Sequence, residues 1–227
     1  MSAGALARIE AEVVGCRLCP RLVWWREEVA RTKRAAYREE DYWAKPVPAF
    51  GDPGARLVIV GLAPGAHGSN RTGRMFTGDA SGRLLYRALH KAGAASAPVS
   101  RDRHDGLRLR DVWITAPVRC VPPANKPTPA EIATCEPYMQ AELAVLRPRA
   151  VLALGAIGFA AALRALAAIG ATIPRPRPRF GHGVEVALGT VTVVASYHVS
   201  QQNTATGKLT EPMFDAVVAR ALELARM

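Results

Sequence analysis

The sequence predicts an α/β protein, with helices on both faces of a mostly parallel sheet, in a single domain spanning residues 1–227. Short apolar runs alternate with segments of helical periodicity, the order that yields parallel strands joined by crossover helices. One of these runs, Leu57-Val58-Ile59-Val60, empties directly into a glycine-rich loop, as happens at the carboxyl edge of such sheets. A hydrophobic content of 49% over 227 residues supplies a substantial core.

Taken in order, a helical N-terminal part within residues 1–50 covers 3–13 and roughly 21–40 and brackets Cys16-Arg17-Leu18-Cys19. Candidate strands follow at 57–61, 111–117, 150–154 and 191–197, with helical patterns near 80–92, 129–146 and 156–169 between them. A last helix is expected from about 211 to 226, with Thr210 as N-cap and Pro212 in its first turn. The runs Val184–Ala187 and Val191–Val194, joined across Leu188-Gly189-Thr190, read as a hairpin that adds an antiparallel strand. Pro174-Arg175-Pro176-Arg177-Pro178-Arg179 is a stiff, extended, basic loop.

The net charge is +11, and 25 of the 30 basic residues are arginine. Such a surplus fits a polyanionic partner, nucleic acid or an anionic membrane surface, although a GC-rich genome also enriches arginine. No apolar run reaches the roughly 18 residues of a spanning helix, and the N-terminus has no signal pattern. The expectation is a soluble, cytoplasmic protein.

The loop at 61–82 contains six glycines, one proline and a single acid, Asp79. Glycine lets backbone N–H groups approach a ligand closely, so this loop is the expected seat of chemistry. Asp79 has two readings, a functional carboxylate or the cap of the following helix. At the end of the 191–197 strand stands His198, followed by the polar stretch Val199–Thr210. A lone strand-end histidine is commonly structural. The Ser, Gln, Asn, Thr and Lys side chains after it are the types that bond to phosphates and base edges.

Four cysteines form a local pair, Cys16 and Cys19, and a distant pair, Cys120 and Cys135. A Cys-x-x-Cys turn offers two thiolates to one centre, and two more complete a tetrathiolate site with no open position for substrate. Spacing alone favours zinc over an iron–sulfur cluster.

Together these segments resemble the uracil-DNA glycosylase superfamily, specifically its iron–sulfur family 5, or type b. The resemblance rests on Cys16-x-x-Cys19, Gly61-Leu62-Ala63-Pro64-Gly65 and Met75-Phe76-Thr77-Gly78-Asp79-Ala80-Ser81-Gly82. It continues through Cys120–Cys135 and His198-Val199-Ser200-Gln201-Gln202-Asn203-x-x-Thr206-Gly207. It implies a monomeric three-layer α/β/α fold around a four-stranded parallel sheet and, against the spacing argument, a [4Fe-4S] cluster on the four cysteines. The implied activity is hydrolysis of the N-glycosidic bond of uracil and other damaged bases in DNA.

The residues suit that reaction. A base must be extruded into a pocket before its glycosidic bond can be reached. Phe76 is placed to stack on it, and Asn125 offers a donor and an acceptor to the O4 and N3–H edge of uracil. Backbone N–H groups around Gly61, Leu62, Ala63 and Gly65 form an expected oxyanion-hole-like site for O2. His198 is the candidate donor to the leaving base, by hydrogen bond or proton donation. Asp79 is the candidate for orienting water and stabilising the cationic sugar. The related family 4 reads Gly-Glu-Ala-Pro-Gly in its first motif, whereas here Leu62 replaces the glutamate and cannot activate water. The family accepts hypoxanthine and ethenocytosine as well as uracil, and the same tolerance is expected. Gln201, Gln202 and Asn203 are expected in the minor groove, with Ser200 and Thr206 on phosphate and Lys208 in the same DNA-binding loop. His67 is read as a phosphate contact or an exposed bystander. A non-catalytic, metal-stabilised nucleic-acid-binding protein is the alternative, but it leaves the 61–82 loop and His198 without a purpose.

Overall fold

A computed structural model describes residues 2–227. Its elements are α1 (Ser2–Gly15), α2 (Pro20–Thr32), β1 (Phe50–Gly51), β2 (Leu57–Val60), α3 (Ser69–Thr72), α4 (Ala80–Lys91) and β3 (Val112–Thr115). They continue with α5 (Pro129–Leu146), β4 (Ala150–Leu154), α6 (Gly155–Ala168), β5 (Glu185–Leu188), β6 (Val191–Ser196), α7 (Gln201–Ala205) and α8 (Glu211–Arg226).

The sheet has six strands in the order β1-β3-β2-β4-β6-β5. The four central strands β3, β2, β4 and β6 are mutually parallel, and β1 and β5 pair antiparallel at the two edges. The expected four-stranded parallel sheet is therefore present as the centre of a wider one. The hairpin at 184–194 contributes one edge; the two-residue β1 on the other is too short to leave a periodic signal. Side chains alternate across the central strands. Leu57, Ile59, Ile114 and Leu152 enter a core with Leu85 and Leu89 of α4 and Phe214 and Val218 of α8. Val58, Val60, Val151 and Val193 face the opposite core, with Leu6 of α1, Met139 and Leu143 of α5, and Phe159 and Ala162 of α6. Helices thus cover both faces, as buried parallel strands require.

Helix boundaries follow local chemistry. Thr128 and Glu131 close a reciprocal capping box around the start of α5, and Thr210 accepts the Met213 N–H at the start of α8. The expected helix over 21–40 stops at Thr32 because Lys33 takes a positive φ of 49°; a short turn, Ala35–Tyr37, follows. Among the described residues no helix is long and apolar enough to cross a membrane.

β2 connects through α4 to β3 on one side, whereas β4 connects through α6 toward β6 on the other. Their oppositely directed connections open a crevice at the carboxyl ends of these strands. Leu152, at the middle of β4, is fully buried in the core beneath this crevice's strands. Leu152→Ala is expected to lower unfolding free energy by about 2–5 kcal/mol, measured by urea denaturation.

Candidate active site

The crevice is a cleft of about 830 Å³ lined by the loop after β2, the β3–α5 connection and the segment after β6. Its lining includes Leu62, Ala63, Gly65, Phe76, Asp79, Asn125, His198, Ser200, Gln201, Gln202 and Asn203. Residues dispersed over some 140 positions are therefore brought to one concave surface.

Asp79 is the helix cap that the sequence offered, and it also lines the cleft. It is the N-cap of α4, with its Oδ1 accepting the Gly82 N–H at 2.9 Å. Its Oδ2 lies over Gly68, where an added Cβ would sit only 2.3 Å away. Glycine at 68 is thus what leaves room for the carboxylate. Burial pushes the Asp79 carboxyl above its ordinary pKa, opposed by the Gly82 and Ser81 N–H groups and by Arg83 and Arg71.

Phe76 has a φ of 53°, a left-handed conformation that is costly for an aromatic residue. Its ring lies against Gly61, where a Cβ would approach Cζ to 2.7 Å. Gly61 stands behind the ring rather than in the cleft lining. The loop around Phe76 is pinned from beneath. The Tyr86 hydroxyl donates to the Met75 carbonyl at 2.7 Å, and the Thr77 and Ser100 hydroxyls are 2.7 Å apart. The buried Arg74 bonds to Asp105 at 2.6 Å and to Ser100 at 2.9 Å.

His198 leaves the end of β6 with its ring centroid 6.4 Å from that of Phe76. Its backbone carbonyl accepts the Asn203 Nδ2 at 2.8 Å, so the helical turn that follows fixes the histidine backbone. Burial pushes the imidazole down to about 4, so it is neutral at physiological pH. A neutral ring donates a hydrogen bond rather than a full proton charge. Asn125 is exposed on the cleft wall at a φ of 56°, next to Ala124 at 52°.

The stretch after His198 is partly helical, as α7. Ser200 caps that helix by accepting the Asn203 N–H at 3.4 Å, and the Thr206 hydroxyl returns to the Gln202 carbonyl at 2.8 Å. Thr206 and Lys208 are absent from the cleft lining, and the Lys208 ammonium stands 5.0 Å from the Tyr197 ring centroid. His67 is half-buried rather than exposed, lines the cleft, and has its Nδ1 2.9 Å from the Tyr42 hydroxyl. Arg34, Tyr37 and Arg83 also line the cleft. Sequence periodicity hid the first two inside an apparent long helix. Arg71 packs over the Tyr37 ring at 4.0 Å and pairs with Glu40, holding that segment in place. The Arg175, Arg177 and Arg179 side chains are exposed and make no ion pair among the described residues.

The four cysteines are unpaired as disulfides and all line one small cavity, shared with Arg26, Arg119 and Tyr138. Burial raises the Cys19, Cys120 and Cys135 thiols, that of Cys135 to about 12. Arg26 Nη1 donates to Cys120 Sγ at 3.0 Å, and the Arg119 N–H donates to Cys135 Sγ at 3.3 Å. This set of soft donors fits a thiolate-bound metal centre, whose charge would favour loss of the thiol protons. Among the described residues no three His, Cys, Asp or Glu side chains are arranged as a shell around a single metal ion.

A doubly covered parallel sheet with an acid and a neutral imidazole gathered around an aromatic ring at its carboxyl edge defines an α/β protein able to hold a planar ligand beside a carboxylate. Residues 48–222 match the family profile described as the uracil DNA glycosylase superfamily. A type-5 uracil-DNA glycosylase of Thermus thermophilus is 54% identical over 215 residues, covering 94% of this chain and 95% of its own. One from Mycobacterium tuberculosis is 52% identical over 226 residues, 98% of this chain and 83% of the relative. A type-4 uracil-DNA glycosylase of Archaeoglobus fulgidus is 32% identical over 152 residues, 66% of this chain and 60% of the relative. The chain belongs to the uracil-DNA glycosylase superfamily and, within it, to the type-5 uracil-DNA glycosylases.

The depressed His198 pKa has a consequence for stability. Between about pH 6.5 and about 4 the unfolded chain binds a proton at this histidine that the folded chain does not, so stability falls as the pH falls through that window. The loss is expected to reach up to about 3 kcal/mol. Urea denaturation of His198→Asn should show a correspondingly flatter pH dependence than the wild type.

Proposed function

We propose that this protein is a DNA glycosylase that hydrolyses the N-glycosidic bond of uracil and other damaged bases, leaving an abasic site and so initiating base excision repair. The observation that carries this reading is the placement of Asp79 and His198 on one cleft with the Phe76 ring, in a chain of the type-5 family.

The flipped base stacks on Phe76, and Asn125 reads its O4 and N3–H edge. Backbone N–H groups of the Leu62–Gly65 turn bond to O2. As the C1′–N1 bond breaks, its electron pair moves to the base, and negative charge spreads to O2. His198, neutral in its buried setting, donates an N–H hydrogen bond there. Positive charge grows on the sugar, where the Asp79 carboxylate stabilises it and orients a water. The water oxygen bonds to C1′, and its proton passes through Asp79 to solvent. The raised Asp79 pKa makes it a better acceptor for that proton than an exposed aspartate.

Arg34 and Arg83 make no ion pair among the described residues and supply phosphate attraction at the cleft rim. Gln201 and Gln202, exposed beside His198, face the minor groove near the vacated stack, while Ser200 and Asn203 hold that segment in shape. Thr206 and Lys208 contribute to DNA binding from outside the cleft. The apolar walls formed by Leu62, Ala63 and Ala116, in a cleft of about 830 Å³, admit bases larger than uracil such as hypoxanthine and ethenocytosine. The protein acts on DNA as a monomer in the cytoplasm, at the nucleoid.

Cys16, Cys19, Cys120 and Cys135, which line one cavity, would hold a [4Fe-4S] cluster. Bound there, it would supply a structural tie between the α1–α2 turn, the β3–α5 connection and α5, with no part in bond cleavage.

Incubating the metal-replete protein with a uracil-containing duplex, followed by alkali, should break the strand at the uracil; an intact strand would refute the reading. His198→Ala should lower the single-turnover excision rate by about 10²–10³-fold with little change in duplex affinity. An unchanged rate would remove His198 from catalysis.

A further inference from the structure

Arg26 presents an electrostatic problem that the cleft does not solve. Its residue is only 2% exposed, yet no buried carboxylate partners it. The nearest, Glu27 Oε1, is 4.0 Å away, has a side chain 46% exposed, and is bonded to Arg17 at 2.7 Å. Arg26 Nη1 instead points to Cys120 Sγ at 3.0 Å and to the Cys16 carbonyl at 3.3 Å, while its Nε has no partner. A buried guanidinium without an anion is strongly unfavourable. The side chain lines the same cavity as all four cysteines, so the available anion is the thiolate centre itself.

We propose that Arg26 is the fixed counter-charge of the cysteine centre, neutralising part of its negative charge and donating an N–H bond to the Cys120 sulfur, so that it governs how tightly the metal is held. This rests on reading the four cysteines as metal ligands. Four thiolates carry a charge of −4; a 2+ centre bound by them, whether a zinc ion or an oxidised four-iron cluster, leaves −2 to be stabilised inside the protein. Arg119 flanks the other side. It is 1% exposed, its Nη2 is bonded to the buried Glu142 at 2.7 Å, and its Nε and Nη1 are without partners. Glu142 already offsets the Arg119 charge, which leaves Arg26 as the uncompensated cation beside the sulfur atoms.

The test compares metal release from purified, metal-loaded wild type, Arg26→Gln and Arg26→Lys into excess chelator, followed by metal analysis and the visible absorption band. Arg26→Gln should lose metal affinity by about 10–100-fold, the usual effect of removing a partner of a ligand, and release metal correspondingly faster. Arg26→Lys, which keeps the charge, should stay within about tenfold of wild type. For an iron–sulfur centre, the reduction potential of the glutamine variant should also be more negative, because a positive charge and an N–H bond to sulfur favour the more negatively charged reduced state. Should glutamine disturb folding, as judged by circular dichroism, Arg26→Met fills the space without polar atoms and carries the same expectation. Release from the neutral variants at the wild-type rate would overturn the proposal. A wild type that contains zinc would refute the iron–sulfur reading alone, since the release comparison applies to either metal.

Discussion

The hydrogen bond from the Gly82 N–H to Asp79 Oδ1 is the interaction on which the active-site architecture depends. It anchors the end of the long β2–α4 connection to the first turn of a buried helix. One carboxylate oxygen caps the helix N-terminus and the other is left over the glycine loop. A freely rotating aspartate would satisfy neither role well. The cap fixes the side-chain torsions, and a residue other than glycine at 68 would drive the second oxygen out of place.

Burial then gives the two principal side chains complementary properties. The same loss of water raises the Asp79 pKa and lowers that of His198. The Asp79 carboxyl holds a proton more readily than an exposed aspartate does, and the His198 imidazole is uncharged. Beneath them, the Arg74–Asp105–Ser100–Thr77 contacts and the Tyr86 hydroxyl restrict the loop that carries Phe76. That support holds Phe76 at a positive φ which an unsupported loop would relax. The Arg26–Cys120 and Arg119–Cys135 hydrogen bonds tie the start of the β3–α5 connection to α2 and α5, and Asn125 stands only five residues beyond Cys120.

Most of the fold was legible because its central strands are apolar runs and its last helix begins at a strong cap, Thr210. β1 was not, since two residues carry no periodicity and Phe50–Gly51 is defined only by pairing with β3. Asp79, Phe76 and His198 could be chosen from their motifs, but the cap and functional-acid readings of Asp79 could not be separated, because the capping residue itself lines the cleft. Arg34 and Tyr37 escaped notice for a conformational reason: Lys33 breaks the apparent helix with a φ of 49°, which polar sequence around it does not announce. The internal tasks of Asn203 and Thr206 depend on α7, a single short helix within a stretch that reads as a polar loop. Likewise, nothing in the arginine-rich composition distinguishes the buried Arg26 from the many exposed arginines.

The proposed dual role of Asp79 is tested most directly by Asp79→Ser, examined together for unfolding free energy and single-turnover excision of uracil from duplex DNA. Serine caps a helix about as well as aspartate but brings no carboxylate. Stability within about 1 kcal/mol of wild type together with a rate lower by about 10²–10⁴-fold is the predicted result. Excision at the wild-type rate by this variant would contradict the account.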